Sequence, residues 1–152
     1  YWLKQGWGVP YVDLEPTPLF PFGHGLSYTS FAYSNLQVKP DGDNVHISFT
    51  VTNTGARSGS EVPQVYLSHT GTTDVATEKQ KLVAFDKVSL APNESSEVTA
   101  TLPARRFAWW NEAIHGWQTL PGEKQLTVGA SSRDLRLSAN FTYTPVTTSM
   151  LP

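Results

Sequence analysis

Cysteine is absent from the sequence, which excludes both a disulfide framework and a thiolate metal site. The absence is silent on compartment, because many secreted proteins also lack cysteine. Methionine occurs once, as Met150, so the chain reads as a processed product or a piece of something longer. No charged-then-apolar leader opens it. No apolar run approaches the roughly 18–20 residues that span a bilayer, and no membrane partner is expected. An excess of positive charge is missing too. Eleven Lys+Arg against 13 Asp+Glu give a net charge of −2, so no basic field draws in nucleic acid. Charged residues make up only 16%, and a helical bundle would want more Ala, Leu, Glu and Lys. Little helix is expected.

What is present points to β structure. The 152 residues suffice for one domain, or one domain with an arm, burying about 68–70% of the unfolded surface without a staple. Eleven Gly, 11 Pro and 12% aromatic residues are what a turn-rich β protein needs. Aromatic and β-branched side chains suit pleated surfaces, and Gly and Pro punctuate them.

The pattern changes near residue 30. Residues 1–30 show no sustained period. Pro10, Pro16, Pro18 and Pro21 interrupt a run of aromatics, each proline holding its neighbourhood extended. This is an irregular arm. It is too apolar to float free, since Trp2, Trp7, Tyr11, Phe20 and Phe22 lose free energy in water.

From residue 31 to 144, short alternating runs recur between turn signals. Strands are expected over 31–39, 45–52, 62–68, 81–90 and 98–102, then around Phe107–Trp110, at Leu126–Val128 and from Leu135 to Tyr143. The clearest is Val45, Ile47, Phe49 and Val51 alternating with His46, Ser48, Thr50 and Thr52, one face dry and one wet. Seven or eight strands with turns every 8–12 residues predict an all-β, antiparallel two-sheet sandwich of fibronectin type III or immunoglobulin kind. Residues 70–77 are expected to form a loop, and residues 145–152 a patternless tail.

Few constellations carry chemistry. Asp13 and Glu15, two apart on an extended arm, share one side. Paired carboxylates are what glycoside hydrolysis needs, but on an arm they read more simply as a solvated face. The histidines His24, His46, His69 and His115 lack metal-ligand spacing, so no metal is expected. No dinucleotide, phosphate-loop or nucleophile-elbow motif is present, and no cofactor is expected. Trp109, Trp110, His115 and Trp117 form the one cluster suited to stacking on sugar rings. The plainer reading is core plus contact with a neighbouring domain, since alternation sends Trp109 and Trp110 to opposite faces and places one of them in the interior. The sequons at Asn93 and Asn140 permit glycosylation without arguing for it.

Longer motifs then carry a resemblance. Pro18-Leu19-Phe20-Pro21-Phe22-Gly23-His24-Gly25-Leu26-Ser27-Tyr28-Thr29 closely resembles the junction in glycoside hydrolase family 3 that enters a C-terminal fibronectin type III-like domain. Val51-Thr52-Asn53-Thr54-Gly55, Gly59-Ser60-Glu61-Val62-Pro63-Gln64-Val65-Tyr66-Leu67, the 81–95 stretch, Phe107–Glu112 and Gly129–Leu135 are similar to further family segments in family order. Ala84 and Asn93 stand where glycine is usual, and Asn tolerates left-handed turn geometry. The resemblance implies a non-catalytic domain of a retaining β-glucosidase or β-xylosidase. Its catalytic Asp and Glu would lie on upstream domains, so no catalytic residue is assigned to this chain. It further implies those upstream domains as partners, a β-linked sugar as substrate of the whole enzyme, homo-oligomers in some members, and a secreted or periplasmic setting. The rival reading is a stand-alone carbohydrate- or polymer-binding module.

Overall fold

A computed structural model describes residues 17–146 of the protein. Trp2, Trp7, Tyr11, Asp13 and Glu15 lie outside the described residues, as do residues 147–152.

Among the described residues eleven strands follow one another: β1 Phe31–Asp41, β2 Asn44–Asn53, β3 Gly59–Glu61, β4 Gln64–His69, β5 Lys81–Phe85, β6 Val88–Leu90, β7 Ser95–Leu102, β8 Ala108–Asn111, β9 Gly116–Thr119, β10 Gly122–Gly129 and β11 Leu135–Tyr143. One turn of 3-10 helix, Ala104–Phe107, precedes β8. Two sheets form the sandwich, one ordered β1-β2-β7 and the other β11-β10-β4-β5; β3-β6 and β8-β9 make small two-stranded ribbons. Every ladder is antiparallel. The predicted two-sheet β-sandwich is therefore the observed one.

Alternation built the core as expected. Val45, Ile47, Phe49 and Val51 of β2 are buried and meet Val65 and Leu67 of β4, Leu126 and Val128 of β10, and Val98 and Leu102 of β7. Phe107 stacks on Tyr143 with centroids 4.2 Å apart, and the Tyr143 hydroxyl donates to the Asp43 carbonyl at 3.0 Å, so a buried phenol keeps its hydrogen bond. Asn93 sits at φ 61 in its turn, the left-handed conformation that Asn tolerates.

Two expected elements differ. The single strand over 81–90 is two strands in different sheets, β5 on β4 and β6 on β3. The break falls at Asp86, whose carboxylate accepts from the Lys87 amide at 2.7 Å and offers the backbone an alternative to the ladder. A turn follows Asn111, and beyond it Gly116–Thr119, not expected as a strand, forms β9 and pairs with β8 in a hairpin. Its turn is closed by His115 at φ 48 and by the Ala113 amide donating to Asn111 Oδ1 at 2.9 Å.

Candidate functional site

Three regions carry features that the core does not explain. The first is the arm, residues 17–30. Its backbone is pinned to the sandwich: the Ser132 amide donates to the Phe22 carbonyl at 2.9 Å, Arg133 to the Pro18 carbonyl at 2.9 Å, and Gln64 Nε2 to the Gly23 carbonyl at 3.1 Å. Gly23 has φ +78, and a Cβ there would lie 1.9 Å from Gln64 Oε1, so the turn crosses β4 only as glycine. The side chains face the other way. Leu19, Phe20, Phe22, Leu26 and Tyr28 are 85%, 66%, 65%, 94% and 94% exposed. Phe22 and Leu26 line a groove of about 720 Å³ together with Val62 and Phe85 of the sandwich, the latter 71% exposed.

Asn53 joins this arm to the sandwich. Fully buried, it donates to the Arg57 carbonyl at 2.7 Å and the Leu90 carbonyl at 3.0 Å. Its Oδ1 accepts from the Thr29 hydroxyl at 2.7 Å and the Gly55 amide at 3.1 Å. All four hydrogen-bonding positions of the amide are used. A Cβ on Gly55 would sit 2.2 Å from Thr29 Oγ1, so the Asn-Thr-Gly segment is shaped to receive the arm.

The second region is the β8–β9 hairpin. Trp110 and Trp117 are cross-strand partners whose rings meet edge to face at 5.5 Å. The Arg105 guanidinium lies 3.4 Å from the Trp117 ring centre, a cation–π contact. Trp110 is 46% exposed. Trp109 points to the other face and lines a small cavity. The alternation of Trp109 and Trp110 holds, but neither belongs to the central core, because the two-stranded ribbon stands outside the main sheets. His115 is exposed at the hairpin tip. The structure thus brings Trp110 and Trp117 together and leaves Trp109 and His115 apart from them.

The third region was not singled out from sequence. Lys124 of β10 is only 2% exposed and contacts His69 of β4. Its burial holds the amine down at about 8, partly offset by the Glu123 carboxylate. Burial, then the neighbouring Lys124, holds His69 below its usual value. The other histidines are separate: His24 stacks on Phe20, and His46 meets Thr101 and Asp41 on the wet face. Among the described residues no group of three or more His, Cys, Asp or Glu could hold a metal ion.

Comparison with known proteins assigns this architecture. Residues 61–132 match the family described as fibronectin type III-like domain. Thermostable beta-glucosidase B of Acetivibrio thermocellus is 44% identical over 135 residues, covering 86% of this chain and 18% of that protein. The GH3 beta-glucosidase structure of Bifidobacterium adolescentis superposes with a TM-score of 0.76 at 41% identity, covering 80% of this chain and 18% of that one. The chain belongs to the fibronectin type III-like domains of glycoside hydrolase family 3. It spans 18% of the length of each of these two relatives. An exo-alpha-(1->6)-L-arabinopyranosidase of Bifidobacterium breve is also 42% identical over 116 residues, covering 76% of this chain and 15% of that protein. Like domains therefore sit in enzymes of different named sugar specificity. In this fibronectin type III-like domain the first three motifs that carried the resemblance hold residues that seat the arm: Gly23, Thr29, Asn53, Gly55 and Gln64.

Proposed function

We propose that this domain is the non-catalytic brace of a retaining β-glycosidase, with the exposed face of the arm as the surface that packs on the catalytic domains. The carrying observation is the arm's division of labour. Its backbone is hydrogen-bonded to the sandwich, while Leu19, Phe20, Phe22, Leu26 and Tyr28 are held out in water. Burying a large apolar side chain contributes about 1.5–3 kcal/mol, so a covering domain gains on the order of 10 kcal/mol before ordering costs. Residues 1–30 then form the end of the upstream domain and its linker, and the 70–77 loop or the Trp109/Trp117 region borders the substrate entrance. The whole enzyme cleaves a β-linked sugar in a secreted or periplasmic compartment and in some settings assembles as a homo-oligomer.

The test has two arms. The 152-residue chain is assayed with aryl β-glucosides, and no turnover is expected; turnover abolished by Asp13→Asn or Glu15→Gln overturns the reading. In the longer enzyme, Phe22→Ser with Phe85→Ser should shorten the half-life of activity at elevated temperature at least tenfold. An unchanged half-life also defeats it.

A second reading rests on Trp110. Its exposure beside Trp117 provides a platform on which a pyranose can stack, as in a carbohydrate- or polymer-binding module. Retention on insoluble cellulose, xylan or lignin at low salt, lost in Trp110→Ala, supports it; no retention removes it.

A further inference from the structure

Lys124 is a buried cation whose hydrogen-bond partners are neutral. Its ammonium donates to His69 Nδ1 and to the Pro121 carbonyl at 3.2 Å, and among the described residues no carboxylate forms an ion pair with it. Since His69 Nδ1 accepts that bond, the neutral ring carries its proton on Nε2. Nε2 is itself buried and has no hydrogen-bond partner. The same two side chains line a cavity of about 50 Å³ together with Glu78, Lys81, Arg106 and Trp109. Three basic residues and one acidic residue thus line a space that fits a few waters or one small charged group. A poorly compensated buried ammonium is destabilising, and an anion that pairs with it relieves that penalty.

We propose that this cavity is an anion site that takes a carboxylate, with Lys124 and Arg106 supplying the positive charge and the Trp109 ring one wall. A carboxylate matches the inventory: it is acceptor-only, and its bonds to ammonium and guanidinium are charge-assisted. Two sources offer that chemistry, a free short-chain acid or the uronic-acid residue of a polysaccharide whose pyranose ring lies against Trp109. The site is independent of the bracing role, because it lies around His69 and Lys124 and not in the groove of the arm.

Binding must depend on pH through Lys124. The groups around it are His69 from β4, Glu78 from the preceding loop, Lys81 from β5, Arg106 from the 3-10 turn and Glu123 beside it; β11 sets only Phe141 opposite. With the amine at about 8, Lys124 is charged at pH 6.5 and mostly neutral at pH 9.5.

The 152-residue chain is titrated with acetate and with D-glucuronate, with D-glucose as the neutral control at constant chloride. Tryptophan fluorescence and the thermal midpoint are both read. The expected result is a saturable fluorescence change and a rising midpoint at pH 6.5. Both should weaken at least tenfold at pH 9.5, in Lys124→Met and in Arg106→Gln. Preference for glucuronate assigns the acidic sugar, and equal binding of acetate assigns the free acid. No saturable response to either anion, an equal response to glucose, or undiminished binding in the variants overturns the proposal. If Lys124→Met does not fold, Arg106→Gln and the pH dependence decide alone.

Discussion

Asn53 and Lys124 are equally shut off from water, at 0% and 2% exposure, yet the sandwich treats them in opposite ways. Asn53 finds a partner for each donor and acceptor it owns, drawn from the arm, from its own loop and from β6. Lys124 finds a neutral imidazole and one carbonyl, and leaves an orphaned ring nitrogen beside it. The difference separates a polar group kept for architecture from one whose partner is not in the fold. A satisfied network rigidifies; an unsatisfied one stores a penalty that a ligand can relieve.

Removing Asn53 should do the most damage. Asn53→Ala strands the Leu90 and Arg57 carbonyls and the Gly55 amide, and is expected to cost about 3 kcal/mol or more in urea denaturation. The loss should come with release of the arm, seen as proteolytic cleavage before Phe31. If the variant keeps its midpoint and its resistance, the contrast fails on the Asn53 side.

The pH dependence of stability probes the other side. Burial holds folded Lys124 down at about 8, below the 10.5 of a lysine in water. Between those values the unfolded chain holds more protons, so stability rises with pH, at up to about 1.4 kcal/mol per pH unit. The tyrosines turn the curve over. Burial pushes Tyr143 up to about 12, and burial, then the Glu61 charge, raises Tyr33 above its usual value. Above pH 10 the unfolded phenols lose protons first, and the stability contributed by these groups then falls. Lys124 contributes a gain of about 2 kcal/mol from pH 8 to 10, trimmed near pH 10 by the tyrosines and followed by decline; a flat profile from 8 to 9.5 refutes the buried-ammonium account.

Lys124→Met should be smaller and opposite in sign to Asn53→Ala. Replacing a poorly compensated buried charge by an apolar side chain of similar length stabilises by about 1–2 kcal/mol at pH 7 and abolishes the rise between pH 8 and 10. Destabilisation instead would show that Lys124, like Asn53, is structural. Arg105→Ala provides the smallest expected effect. Its contact with Trp117 lies at the edge of the domain, and such pairs contribute about 0.5–1 kcal/mol. A loss above about 2 kcal/mol would mean that the hairpin is as integral as the Asn53 network.

Much of this was legible beforehand. The alternation in β2 and β11 reports burial directly, because a strand has two faces and the core takes one. The family motifs announced the arm junction, and the structure supplies their physics: Gly23 and Gly55 are small because Gln64 and Thr29 occupy the space. Elsewhere local pattern was overruled. Nothing in the apolar spacing of 81–90 tells that Asp86 breaks the strand, since the switch depends on where β3 and β4 lie. The ribbon β9 was hidden because Trp117-Gln118-Thr119 alternates too briefly to register.

The chain order of turns and alternating side chains by itself determined a β-sandwich and its core strands, since these follow from period and local turn chemistry, while the longer motifs carried its kinship. Only the tertiary structure decided that Lys124, an unremarked residue on a strand, is sealed inside beside His69, and that the arm shows its aromatics to solvent. Burial is a property of what packs from afar. Residues 55 positions apart, such as His69 and Lys124, carry no local mark of their meeting.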